Sequence, residues 1–264
     1  QCSPYVVHYA FDTVALAKGT GKAVVENGGK SWFFLTADYA FGHALEADTT
    51  RIVQANGGTV VGSVKTPLNA SDFSSFMLQA QNSKAQILGL ANAGGDTVNS
   101  IKAAREFGVT KNMKLAGLLI FFSDIHSLGV KNTEGMQFTT SWYWDLNAET
   151  RQFADRFMEK TKRRPSEIQA ADYSATMTWL QAVERAGTLD ADKVMAEWKG
   201  KPIKDFFGEG VIRPDGRYAH DMYLMEVKSP AESKGTWDYY KLVKKLPADQ
   251  VWTTKEESKC QYWK

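Results

Sequence analysis

The sequence predicts an α/β fold, a parallel sheet with helices on both faces. Three observations carry that reading. Apolar runs alternate with helix-period segments across the first two-thirds of the chain, which is the spacing of βαβ units. The runs are continuous rather than alternating, as in strands buried on both faces. Turn residues separate the two kinds of segment, as at Asn56-Gly57-Gly58 and Asn92-Ala93-Gly94-Gly95.

Trp32-Phe33-Phe34-Leu35-Thr36 is the first such run and ends at Ala37-Asp38-Tyr39-Ala40-Phe41-Gly42. A helix follows with Leu45, Thr49, Ile52 and Val53 on one face, and Asn56-Gly57-Gly58 closes it. Residues 59–64 form the next strand. Asn69-Ala70-Ser71-Asp72 is a capping signal for a helix marked by Phe73, Phe76, Met77 and Ala80. Ile87-Leu88-Gly89-Leu90 is a strand, and the helix after it starts near Asp96 and ends at Gly108. That helix carries Val98, Ile101, Ala104 and Phe107 at a three-residue step. Residues 115–122 and 136–144 read as two further strands. Beyond Trp144 the pattern changes to long helices over 148–162 and 167–186, joined by Arg163-Arg164-Pro165, and a shorter one over 192–199. Val211-Ile212-Arg213 and residues 222–227 flank Pro214-Asp215-Gly216-Arg217, a turn signal that predicts a hairpin. The tail from Ser229 is mixed and rich in Trp, Tyr and Lys.

Composition narrows the function classes. The 264 residues suit two lobes or one large domain. A net charge of +2 gives no ground for a nucleic-acid surface. The longest basic run, Lys162-Arg163-Arg164, reads as a solvated loop. No stretch approaches the ~20 apolar residues of a membrane span, and no signal peptide is read. The chain opens on Gln1-Cys2-Ser3-Pro4 without Met, as a processed or truncated chain does. Its only cysteines, Cys2 and Cys260, stand at opposite ends. A disulfide between them, in an oxidising compartment, is the preferred reading over two unrelated cysteines. Neither cysteines nor histidines show zinc spacing, and neither a metal nor a cofactor is expected.

Ligands of open parallel sheets bind beyond the carboxyl ends of the strands. Three such ends offer aromatic walls and a few polar groups: Asp38-Tyr39-Ala40-Phe41-Gly42, Asn92-Ala93-Gly94-Gly95-Asp96 and Phe121-Phe122-Ser123-Asp124. Together they predict a small-molecule pocket. Gly89 and Gly94 have the opening spacing of a phosphate-binding loop, but Gly95-Asp96 stands where its Lys-Ser or Lys-Thr belongs. An NTPase is therefore rejected, and G-x-G-x-x-G is absent. What survives is a pair of backbone N–H groups, Gly94 and Gly95, facing a carboxylate or hydroxyl. The alternative is a tight turn with Asp96 as helix cap and no ligand. Tyr39 and Phe41 read as binding residues. Of Phe121 and Phe122, a strand would aim at most one at a ligand. Trp142 and Tyr143 read as core. Ser123-Asp124-Ile125-His126-Ser127 is no catalytic triad, because local neighbours are not one and no G-x-S-x-G elbow exists. His126 reads as a loop hydrogen-bond partner, and His8, His43 and His220 as structural.

These residues, over nearly all of the chain, resemble the periplasmic solute-binding proteins of branched-chain-amino-acid-type ABC transporters. The resemblance rests on residues 32–81, on "ILGLANAGGDTVNSIKAAREFGV", and on "DFFGEGVIRPDGRYAHDMYLMEVKSPAESKGTWDYYK". It implies a type I periplasmic-binding-protein-like fold: two α/β lobes joined by three crossovers, with the solute trapped between them and an ABC permease as partner. It implies that the loop with Tyr39, Phe41 and Gly42 and the turn from Asn92 to Asp96 contact the solute. The expected organisation is a ligand-binding lobe over 1–145 and 206–228. Helices of an incomplete other lobe then span 146–205, their sheet largely absent from this chain, so that either another segment supplies it or this chain does not bind alone. The tail over 229–264 is tied to Cys2. Amino-acid binders of this family place an acid after the strand matching 115–122, and Leu118-Leu119-Ile120-Phe121-Phe122 offers none. An unpaired buried ammonium is costly, so the expected solute is an apolar or aromatic carboxylate.

The function expected is a non-enzymatic, extracytoplasmic receptor of an ABC importer. Tyr39 and Phe41 pack on the solute. Asn92, Gly94 and Gly95 supply hydrogen bonds to it from a turn shared with Ala93 and Asp96, and Phe121 is a wall. Two alternatives stay open: a ligand-sensing regulatory domain of the same fold, and an α/β enzyme whose cofactor loop lies in a missing segment.

Overall fold

The computed structural model describes residues 2–263. Its contacts divide the chain into two units. One comprises Thr13–Thr139 and Tyr223–Lys245. The other comprises the residues up to Asp12, Thr140–Met222, and the residues from Leu246 onward.

The first unit holds strands β1 (Ser31–Ala37), β2 (Thr59–Thr66), β3 (Ile87–Ala91), β4 (Lys114–Gly117) and β5 (Gln137–Thr140). It is completed by β9 (Met222–Val227) and β10 (Tyr240–Leu246). These make one seven-stranded sheet in the order β10-β9-β5-β4-β3-β1-β2. The pairs β1·β2, β1·β3, β3·β4 and β4·β5 are parallel. β1 and β3 are apolar because helices cover both faces; Trp32, Phe34, Leu35, Leu88 and Leu90 are fully buried. Each such side chain contributes about 1.5–3 kcal/mol of burial. The crossovers are α3 (Ala40–Ala55), α4 (Ser74–Ser83) and α5 (Gly94–Glu106). A helical lead-in, α1 (Thr13–Leu16), a π turn (Ala17–Gly21) and α2 (Lys22–Glu26), precedes β1. Short helices α6 (Phe122–Leu128) and α7 (Val130–Thr133) separate β4 from β5.

The second unit pairs helices α8 (Ala148–Thr161), α9 (Glu167–Ala186) and α10 (Ala191–Trp198) with strands β6 (Pro202–Lys204), β7 (Glu209–Ile212) and β8 (Tyr218–His220). The strands form a three-stranded sheet, antiparallel in both pairings. A last short helix, α11, spans Ala248–Val251. Asn147 starts α8 by accepting the Thr150 N–H at 3.0 Å, the usual way an asparagine satisfies a first-turn donor. Trp142, Phe153, Ala170, Trp198, Phe207 and Tyr218 share one core, and Phe153 stacks on Phe206 at 3.9 Å. Asp215, buried in the turn before β8, binds Arg213 at 2.7 Å and Arg217 at 3.3 Å. The Cys2–Cys260 disulfide is formed, with Cα atoms 5.5 Å apart.

The structure departs from the sequence reading in four places. The turn at 214–217 joins β7 to β8, whereas 222–227 is β9 and enters the other sheet. The helices over 148–198 do have a sheet, the small antiparallel one, because Phe207, Ile212 and Tyr218 pack into their core. The unit boundaries shift accordingly: 206–222 and the residues up to Asp12 group with those helices, 223–228 stays with the large sheet, and 229–245, expected in the tail, joins it. The strands read over 115–122 and 136–144 are only β4 and β5, which end at Gly117 and Thr140.

Candidate functional site

In the large sheet β1 lies between β2 and β3. The chain leaves β1 toward one side of the sheet and later continues toward the other. Such a reversal leaves a crevice at the carboxyl ends of the two central strands, where doubly wound folds take ligands. Register places these ends side by side: Thr36 opposes Ala91, and Leu90 opposes Gly117. The loops after β1, β3 and β4 therefore share one edge, and they are the loops picked out by sequence.

Gly42, in the first turn of α3, allows close approach at this edge. A Cβ there would lie 2.1 Å from the Ala37 carbonyl oxygen and 3.1 Å from that of Ala91. Tyr39 stands just before α3, 37 % exposed, with its ring 5.9 Å from the half-buried Phe41. Partial burial, and then the Asp96 carboxylate, push the Tyr39 phenol above its usual range. Tyr39 and Asp96 are thus within electrostatic reach of one another.

The turn after β3 is locked from inside. Asn92 is fully buried. Its Nδ2 donates to Ser100 Oγ at 2.9 Å, and its Oδ1 accepts from Thr97 Oγ1 at 2.7 Å. Both ends of the side chain are thus engaged with α5, and Asn92 anchors the turn. Ala93 is the extended residue before α5. Gly94 has φ +58, a backbone conformation that disfavours side chains. Positions where Cβ atoms of Gly94 and Gly95 would sit meet nothing within 4 Å, so the first N–H groups of α5 lie beside open space. Such groups have no partner within their helix. Asp96 is not the cap that the alternative reading of this turn makes it. It lies in the first turn, buried, and accepts the Asn69 N–H at 3.2 Å, which ties the loop after β2 to α5.

Phe121 and Phe122 do not alternate across a strand, because α6 begins at Phe122. Phe121 is half-buried at the helix entry, on the shared edge. Phe122 packs into an aromatic cluster with Trp237, Tyr239 and Tyr240 at 5.2–5.9 Å. His126 joins the same cluster, stacked on Trp237 at 4.2 Å with Nδ1 2.7 Å from the Tyr239 hydroxyl. Sequence reading placed Asp124 in the third loop but gave it no role of its own. It is 8 % exposed and accepts the Phe121 N–H at 2.9 Å. Burial pushes its carboxyl up to about 6, against the lowering effect of that hydrogen bond. Among the described residues no group of His, Cys, Asp or Glu could hold a metal, and no helix is long and apolar enough to cross a membrane.

Residues 1–236 match the family described as periplasmic binding protein. A Leu/Ile/Val-binding protein homologue of Brucella melitensis is 26% identical over 241 residues, covering 85% of this chain and 60% of its own length. The chain thus spans about three-fifths of the curated relatives it matches. The crystal structure of a periplasmic binding protein from Burkholderia mallei is 63% identical with a TM-score of 0.98, covering all of this chain and 70% of that one. A solute-binding protein of an ABC transporter from Rhodopseudomonas palustris, in complex with 3,4-dihydroxybenzoic acid, shares the fold. It is 23% identical with a TM-score of 0.83, over 93% of this chain and 68% of that one.

Proposed function

The chain belongs to the periplasmic binding protein family, and we propose from that premise that it is the solute-binding part of an extracytoplasmic receptor serving an ABC permease. The solute is a small aromatic or apolar carboxylate, bound reversibly and released unchanged. One observation carries this reading: β1 and β3 are neighbours at the strand-order reversal, with Tyr39 and Phe41 following the one and the open start of α5 following the other. The rings give an apolar ligand a surface, and the N–H groups of Gly94 and Gly95 give an oxygen anion its donors. Phe121 borders the same edge. The aromatic acid in the Rhodopseudomonas relative suits this chemistry. The Cys2–Cys260 disulfide supports an oxidising compartment.

A second reading, an α-amino acid as solute, is favoured by the name of the Brucella relatives and by the Asp96 carboxylate near Tyr39. Titration calorimetry of the full chain with 4-hydroxybenzoate, hexanoate and leucine separates the two. The carboxylate reading expects heat from the aromatic acid and none from leucine. Tight leucine binding overturns it in favour of the second.

A further inference from the structure

A cavity of the sheet unit, about 850 Å3, lies at the opposite end of the strands from the loops above. It opens at the amino ends of β3, β4 and β5, where Ile87, Lys114, Leu115 and Gln137 begin their strands. The cause is visible in the pairing. β4 pairs with β5 at Ala116 and Gln137, the first residue of β5, so Lys114 and Leu115 extend beyond the start of β5. Its volume falls within the roughly 300–1,000 Å3 typical of small-molecule sites.

The lining has two characters. Val24 and Leu115, both half-buried, supply apolar surface over the buried Ile87, Met113 and Met136, and Arg105 and Lys114 supply two cations. Arg105 is held by its Nε, which donates to the Asn132 carbonyl at 3.0 Å. Neither Arg105 nor Lys114 has a carboxylate partner among the described residues. Of the two acids at the rim, Glu226 is already engaged. It accepts from Gln137 at 2.8 Å and pairs with Lys241 at 2.9 Å. Glu134 is exposed at that same rim, where it disfavours a second negative charge on any occupant.

We propose that this cavity is a second ligand site, for a singly charged amphiphilic organic anion. The anionic group meets Arg105 and Lys114, and the apolar body lies on Val24 and Leu115. A guanidinium fixed at one nitrogen keeps its remaining donors for such a group, and apolar burial adds what exposed charges alone do not give.

The test uses 1-naphthalenesulfonate as probe, titrated into the full chain by calorimetry. The expected result is saturable binding that weakens with salt. It should fall at least tenfold in an Arg105→Gln/Lys114→Gln variant whose unfolding temperature matches the parent, and persist in Arg105→Lys/Lys114→Arg and in Tyr39→Ala. The proposal is overturned by no binding at millimolar probe, by equal affinity in the double glutamine variant, or by loss of binding in Tyr39→Ala.

Discussion

Asp124 and Thr49 show what single side chains contribute that a sequence does not declare. Folding raises the Asp124 carboxyl from 3.8 to about 6, chiefly by burial. The folded state therefore holds its proton more tightly than the unfolded chain. The associated stability is present below pH ~4 and is lost as pH rises through ~6. Asp124→Asn keeps an acceptor for the Phe121 N–H and removes the charge. It should be more stable than the parent above pH 6.5 by about 1–2 kcal/mol, with the difference vanishing near pH 4; urea unfolding across that range checks it. Thr49 Oγ1 is buried without a hydrogen-bond partner. Thr49→Val, nearly the same shape, should raise unfolding free energy by about 1 kcal/mol. Tyr39 was legible as a loop aromatic because it follows a strand and precedes a helix, whereas Phe41, read with the same loop, lies in the first turn of α3. The role of Asn92 was not legible, since its Thr97 and Ser100 contacts arise only once α5 has formed.

Elements were read best where burial alone decides them. The runs at β1 and β3 are buried along nearly their full length, so continuous hydrophobicity gave both strands. The run after Lys114 is just as apolar, yet only three residues of it, Leu115, Ala116 and Gly117, are strand. Leu118, Leu119 and Ile120 are buried in a connection instead. Periodicity cannot separate a buried strand from a buried turn into a helix. The first turn of α3 gives a prediction at this scale. Gly42→Ala must push α3 away from Ala37, since the contact of 2.1 Å is with backbone. A loss of about 2–4 kcal/mol is expected by chemical denaturation. Solute binding should weaken in the same variant while it is still folded, because α3 carries Phe41.

For the whole molecule, alternation gave the sheet of one unit but misplaced the boundary with the other. Residues 206–222 lie next to β9 in sequence, and only the core made by Phe207, Ile212 and Tyr218 with α8–α10 shows where they belong. The termini were legible, since two cysteines at opposite ends have few other uses. The disulfide closes a sequence separation of 258 residues. Cys2→Ser with Cys260→Ser should lower stability by roughly 2–5 kcal/mol, and a reductant should lower the melting temperature of the parent but not of that variant. The central claim is that an organic carboxylate binds at the carboxyl edge of β1 and β3. Amide NMR of the full chain titrated with 4-hydroxybenzoate tests it most directly. Saturable shifts of the Gly94 and Gly95 signals, absent with leucine, are the predicted result. Unmoved signals at those two glycines, or a larger response to leucine, would contradict it.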